Sequence, residues 1–240
     1  MKLVLCLTAA NESEIQDQLA QSRGLAYDYL EFRADYFLKG TAPDRLPSAI
    51  GAINKAIHPR PLILTLRLAG EGGVDPGLDQ ATKKSLLEVV LAPDQATLPG
   101  LIDLEWAMDE EVRKELSQKA HRLGISLIYS HHSFDRALPS DEVEALFLAM
   151  AGEADFQKVV SMVKSPGDLE AMEEGLTRAR RKALAIRPIL IGMGEAGRKS
   201  RLPLSDNPSL WTFGFLEKES APGQIDAGTL SQLIYKNFNA

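Results

Sequence analysis

Two periodicities alternate along the chain. Short runs of aliphatic, β-branched and aromatic residues give way repeatedly to segments whose apolar positions recur at i, i+3, i+4 and i+7, one face of a helix. The runs are KLVLCLT (2–8), AYDYLEFRA (26–34), PLILTLR (61–67), GLIDLEW (100–106), ISLIYSH (125–131), FQKVVSM (156–162), a strand within 183–193, and LWTFGF (210–215). Between them lie helical patterns such as ESEIQDQLAQSRG, PDRLPSAIGAINKAI, DQATKKSLLEVVLA, DEEVRKELSQKAHRLG, SDEVEALFLAMAG and SPGDLEAMEEGLTRARRKA. Several open on Asn, Asp or Ser at an N-cap position, and two run to a glycine, Gly24 and Gly124. The seventh helix, near 196–203, is the shortest and weakest.

Eight strands, each followed by a helix, predict parallel strands with right-handed crossovers. In a chain of 240 residues that points to the α/β class and a (β/α)8 barrel, whose active sites sit at the carboxyl ends of the strands. The rival is a doubly wound open sheet, yet no Gly-rich nucleotide turn follows the first strand. GMGEAG (192–197) follows a late strand and is a weak match alone. With no linker, low-complexity tract or repeat, one domain over 1–240 is expected.

The polar positions inside the strands carry the chemistry. Strand residues two apart share a face. In YLEFRADYF, Glu31, Arg33 and Asp35 fall on one face, Leu30, Phe32 and Ala34 on the other. Thr65 and Arg67 oppose Leu62, Leu64 and Leu66, and Asp103 and Glu105 pair in LIDLEW. The apolar sets should pack on helices, which turns the charged sets inward. Any one pair is read more readily as an interior salt bridge than as catalysis. Five strands aiming ionisable groups at one cavity is a different matter, because uncompensated buried charge is costly.

Alternation along the fifth strand turns Ser126, Ile128, Ser130 and His132 inward, and Ile125, Leu127, Tyr129 and His131 outward. His132 then reaches the barrel mouth, where a group titrating near neutrality is useful. His58, beside a proline, and His121, in the last turn of a helix, read as structural. Lys158 sits within the apolar FQKVV, and lysine is almost never fully buried without a partner or purpose. Among apolar wall and arginines its ammonium form is expected to be disfavoured by desolvation and like charge. A neutral amine in a closed site is what Schiff-base chemistry with a ketone requires. Lys164, at the strand's end, fits a snorkelling surface lysine better.

Composition removes other classes. Apolar residues at 45% and charged residues at 25% match an ordinary globular protein. The net charge of −6 leaves no basic surplus for nucleic acid, although a local cation cluster can still hold a small anion. The single cysteine, Cys6, permits no internal disulfide or cysteine-based metal site and reads as a small buried hydrophobe. No apolar stretch approaches the ~20 residues that span a bilayer. The start, MKLVLCLTAANESE, superficially suggests a signal peptide, but its apolar part is strand-length, so a cytoplasmic protein is expected.

Taken in order, EFRADYF, TLRLAGEGG, SHHSF, FQKVV, GMGEAGRKSRL and SAPGQ resemble the motifs of type I 3-dehydroquinate dehydratase, from the second strand almost to the carboxyl end. The resemblance implies a (β/α)8 barrel lyase of the shikimate pathway that works through a lysine Schiff base without metal or cofactor, and a homodimer. It implies that Lys158 forms the imine with the carbon 3 ketone and that His132 is the general acid/base, oriented by Glu71. It further implies that Glu31, Arg33 and Arg67 bind ring hydroxyls and set the field. Arg201 would clamp the carboxylate, while Ser220 and Gln224 close over the ligand. One departure is Ser133, where the family has aspartate. Counting back from the lysine favours His131, whereas motif and alternation select His132. The loops Ala69–Asp79, with Pro76, and 218–224 are candidates for a lid. Two alternatives stay open: another Schiff-base lyase or aldolase, and a lapsed barrel that binds a carboxylate metabolite.

Overall fold

The computed structural model describes residues 1–74, 77–92 and 98–235. Its parallel strands are β1 Lys2–Leu7, β2 Tyr29–Arg33, β3 Leu62–Thr65, β4 Leu101–Glu105, β5 Ser126–Ser133, β6 Phe156–Met162, β7 Pro188–Met193, β8 Trp211–Phe215 and β9 Ile225–Asp226. The helices are α1 Glu12–Ser22, α2 Ala34–Gly40, α3 Leu46–Ile57, α4 Gln80–Val90, α5 Glu110–Arg122, α6 Ser140–Met150, α7 Pro166–Lys182 and α8 Ala227–Tyr235. One continuous sheet runs β7-β6-β5-β4-β3-β2-β1-β8-β9. It curls until β7 meets β8, where the Leu210 amide donates to the Pro188 carbonyl at 2.9 Å. The Leu190 amide donates to Ser209 Oγ at 3.0 Å across the same seam. The eight long strands thus form the expected (β/α)8 barrel; β9, two residues long, is an addition on the seam edge of β8.

Helix starts obey their capping residues. Asn11, Asp79 and Asp109 accept from the third residue on, and Ser165 forms a reciprocal capping box with Asp168. Outward strand residues such as Leu62, Leu64, Leu127 and Tyr129 pack with the helices in the large core. A smaller core fills the barrel, with Val4, Ile63, Ile128, Phe156, Ile189 and Trp211 among its members. Trp211 plugs the amino-terminal end, its ring centroid 4.5 Å from Tyr29 and 4.2 Å from Phe156. Polar groups are thereby confined to the opposite mouth.

Two expectations about elements change. EFRADYF is not one extended run: the chain turns helical at Ala34, so Asp35 lies in the first turn of α2 rather than on the inward face of β2. A carboxylate is favoured at that helix end. The short helix expected near 196–203, after β7, is a 3-10 segment, Glu195–Arg201. Pro76 of the proposed lid lies outside the described residues. Among the described residues, no helix is long and apolar enough to cross a membrane.

Candidate active site

The carboxyl ends of the strands surround a pocket lined by Cys6, Glu31, Arg33, Arg67, Glu71, His132, Lys158, Arg201, Ser220 and Gln224 among others. All nine residues singled out for the site are here. His131 is not among its lining residues; it faces outward with Trp106, Arg136 and Glu142. Alternation along β5 therefore separates the two histidines as expected. His121 is half exposed and 3.5 Å from Asp155, and His58 caps the end of α3; neither is near the pocket.

Lys158 is 5% exposed, whereas Lys164 is exposed. Its Nζ lies 4.3 Å from the centre of the Phe213 ring. The expected surround of apolar wall and arginines needs correction. The charged atoms nearest the amine are carboxylates, Asp103 Oδ2 at 3.3 Å and Glu31 Oε1 at 3.8 Å. The reason is register: Cys6 pairs with Glu31 across β1 and β2, and Asp103 with Thr65 across β3 and β4, which brings both carboxylates into the barrel. Thr65 Oγ1 donates to Glu31 Oε1 at 2.8 Å and holds it there.

Arg67 is the hub of the β3–β5 wall. Its guanidinium contacts Asp103 Oδ2 at 2.8 Å and Glu105 Oε1 at 3.2 Å and donates to Ser130 Oγ at 2.8 Å. Ser130 in turn donates to Asp103 at 2.5 Å. Burial disfavours the Asp103 carboxylate, but Arg67 and Lys158 outweigh it and hold this group well below the usual range. Arg33 is held in a two-pronged pair with Asp35 at 2.8 and 2.7 Å and donates to the Gly72 carbonyl.

Glu71 projects from a 3-10 turn, Ala69–Glu71, to within 2.9 Å of His132 Nδ1, and its Oε2 also accepts from the His132 amide at 3.2 Å. Burial raises the Glu71 carboxyl to about 7, against the pull of Arg67. Burial, then Arg67 and Lys158, depress His132 well below its ordinary value. The imidazole is thus neutral at physiological pH, with Nδ1 tied to Glu71. Gly72 makes the turn possible. Its φ is +86°, and a Cβ there would lie 2.3 Å from the Phe134 ring.

Opposite, Arg201 is 2% exposed and donates to the Pro222 carbonyl, at 3.3 Å. No carboxylate pairs with it among the described residues, its Nε has no partner, and burial lowers its ordinary value to about 10. Gln224 Oε1 accepts from the Ser220 amide at 2.9 Å and hydroxyl at 3.1 Å, folding that loop over the mouth. Gly223 allows it, since its φ is +75° and a Cβ would meet the Gly194 carbonyl at 2.5 Å.

Three features escaped the sequence. Cys6 is buried, as expected, but it is not a mere hydrophobe: Sγ donates to Glu31 at 3.4 Å and accepts from Gln224 Nε2 at 3.2 Å. Burial beside Glu31 pushes the thiol far up. Asp103 reaches Lys158 directly. Lys83 of α4 is fully buried and pairs with Glu105; its signal was its phase, in the apolar stripe with Leu87 and Val90. Ser133 turns away from His132, its hydroxyl donating to the Arg136 carbonyl at 2.9 Å. Among the described residues, no group of three or more His, Cys, Asp or Glu is arranged to hold a metal ion.

The chain is similar to known proteins over nearly its whole length. A 3-dehydroquinate dehydratase of Bacillus licheniformis is 33% identical over 98% of this chain and 91% of its own length. The Salmonella typhimurium 3-dehydroquinate dehydratase is 30% identical over 97% and 91%. The crystal structure of 3-dehydroquinate dehydratase from Geobacillus kaustophilus superposes with a TM-score of 0.88 at 25% identity, covering 99% of this chain and 91% of that one. The model of the family described as type I 3-dehydroquinase matches residues 3–239, and the chain belongs to that family.

Proposed function

We infer that this protein dehydrates 3-dehydroquinate to 3-dehydroshikimate through a Schiff base on Lys158, as a hydro-lyase of the shikimate pathway. The observation that carries the reading is a buried amine sharing one pocket with a neutral histidine and an arginine that lacks a carboxylate partner among the described residues. The Lys158 amine adds to the ketone carbon and water leaves, giving a protonated imine. His132 removes a proton from the adjacent carbon, and that electron pair enters the imine as an enamine. The enamine then expels the β-hydroxyl, which takes the proton from His132 on the same face and departs as water. Hydrolysis of the conjugated imine releases product and restores the amine.

Glu71 keeps the imidazole tautomer and stabilises the imidazolium between these steps. Arg201 takes the substrate carboxylate in two-pronged fashion, which a guanidinium suits better than an ammonium. Glu31, Arg33 and Arg67 meet ring hydroxyls and shape the field. Ser220 and Gln224 close over the ligand. The site is served by one catalytic domain, residues 1–240, working as a homodimer in the cytoplasm. The other readings, a Schiff-base aldolase or a carboxylate-binding barrel without turnover, have no comparable support from relatives. Incubation with 3-dehydroquinate should produce the ultraviolet absorbance of a conjugated enone. Binding of that substrate with no such absorbance would favour the barrel without turnover.

A further inference from the structure

We propose that Lys83, on the outer helix α4, is a positioning residue that sets the placement and charge of Glu71 through Glu105. Lys83 is a lysine with no exposure, so its ammonium has exchanged water for one carboxylate partner, Glu105 Oε2. The other oxygen of Glu105 accepts from the Leu68 amide at 3.0 Å and contacts Arg67 at 3.2 Å. Leu68 is the root of the turn that carries Glu71, because its carbonyl accepts from the amides of Glu71 and Gly73, both at 2.9 Å. One carboxylate thus fixes the turn's origin and shares the arginine that faces Glu71 at 3.9 Å.

Lys83 decides how Glu105 divides itself. With its charge met from behind, Glu105 keeps Oε1 on the Leu68 amide and leaves Arg67 free to serve Asp103, Ser130 and Glu71 at once. Without Lys83, the buried Glu105 draws harder on Arg67, and Glu71 loses part of its cationic support. The groups facing Glu71 are Arg67 from the end of β3, Asp103 and Glu105 from β4, His132 from β5, Lys83 from α4, and Arg33 of β2 through the Gly72 carbonyl. Two of these have opposite effects that can be separated: Lys83 favours the Glu71 carboxylate, and Glu105 disfavours it.

The proposal rests on His132, held by Glu71, being the acid/base, and its test separates the two. K83M and E105Q are made, the latter keeping an oxygen for the Leu68 amide, and kcat and KM are followed against pH with 3-dehydroquinate. In K83M the acidic limb of kcat should move to higher pH, with kcat down at least tenfold and KM within twofold. In E105Q the limb should move to lower pH. K83R should return the limb of K83M toward that of the parent. If K83M does not fold, the direction in E105Q decides. Unmoved limbs in the folded variants, with only thermal stability reduced, would overturn the relay. The functional reading fails separately, if the parent gives no borohydride-trapped adduct on Lys158.

Discussion

The two walls of the pocket are built on opposite principles. On the β3–β5 side the charges are largely answered: Arg67 meets Asp103 and Glu105, Lys83 meets Glu105, and Glu71 lies 3.9 Å from Arg67 and beside the neutral His132. On the β7–β8 side Arg201 is equally buried and has no carboxylate partner among the described residues. Paired charges hold one another in place and leave little to give a ligand. An unanswered guanidinium in a low-dielectric wall is costly until an anion arrives. In the proposed reaction, the saturated wall positions the reacting groups and the unsaturated wall binds.

Substitutions on the two walls should break this comparison in different ways. The largest effect is expected on the saturated side. H132A should lower kcat by about 10²–10⁴, the range for a lost acid/base, while Lys158 still forms a trappable imine. Next comes the binding wall. R201L should raise KM roughly 10- to 150-fold, the equivalent of a lost charged hydrogen bond of about 1.5–3 kcal/mol, with a smaller change in kcat. R201K should recover only part of this, because an ammonium lacks the two-pronged geometry. A kcat defect in R201L as large as that of H132A would erase the distinction between the walls.

The pH profile sharpens the same contrast. Glu71 has been raised to about 7, so acidification through that value adds a proton to it and removes the negative charge facing His132 Nδ1. The value of kcat/KM should therefore fall below about 7 and flatten in E71Q. The limb belongs to the coupled pair rather than to either residue. S133A should be smallest of all. Its hydroxyl serves only the Arg136 carbonyl on the outer side, so activity should stay within about twofold and stability within about 0.5 kcal/mol.

Legibility in the sequence followed the same physics. Strand and helix periods were plain because the apolar faces of both must pack, and alternation alone told His132 from His131. The helix at Ala34 was hidden because ADYF keeps alternating polarity while its backbone turns helical at a carboxylate-favoured end. Register across strands was invisible to a single-strand pattern, so Asp103 and Glu31 were not seen beside the Lys158 amine. Lys83 was lost for another reason. It occupies an apolar phase of α4, with Leu87 and Val90. A lysine next to a second lysine, as in TKKS, reads as a solvated face unless that phase is counted.

Borohydride reduction in the presence of 3-dehydroquinate, followed by peptide mass mapping, tests the central claim most directly. The account predicts one reduced adduct of substrate or product mass on the peptide containing Lys158, and loss of turnover in step with its formation. An enzyme left unlabelled and fully active, or labelled only at other lysines, would contradict it.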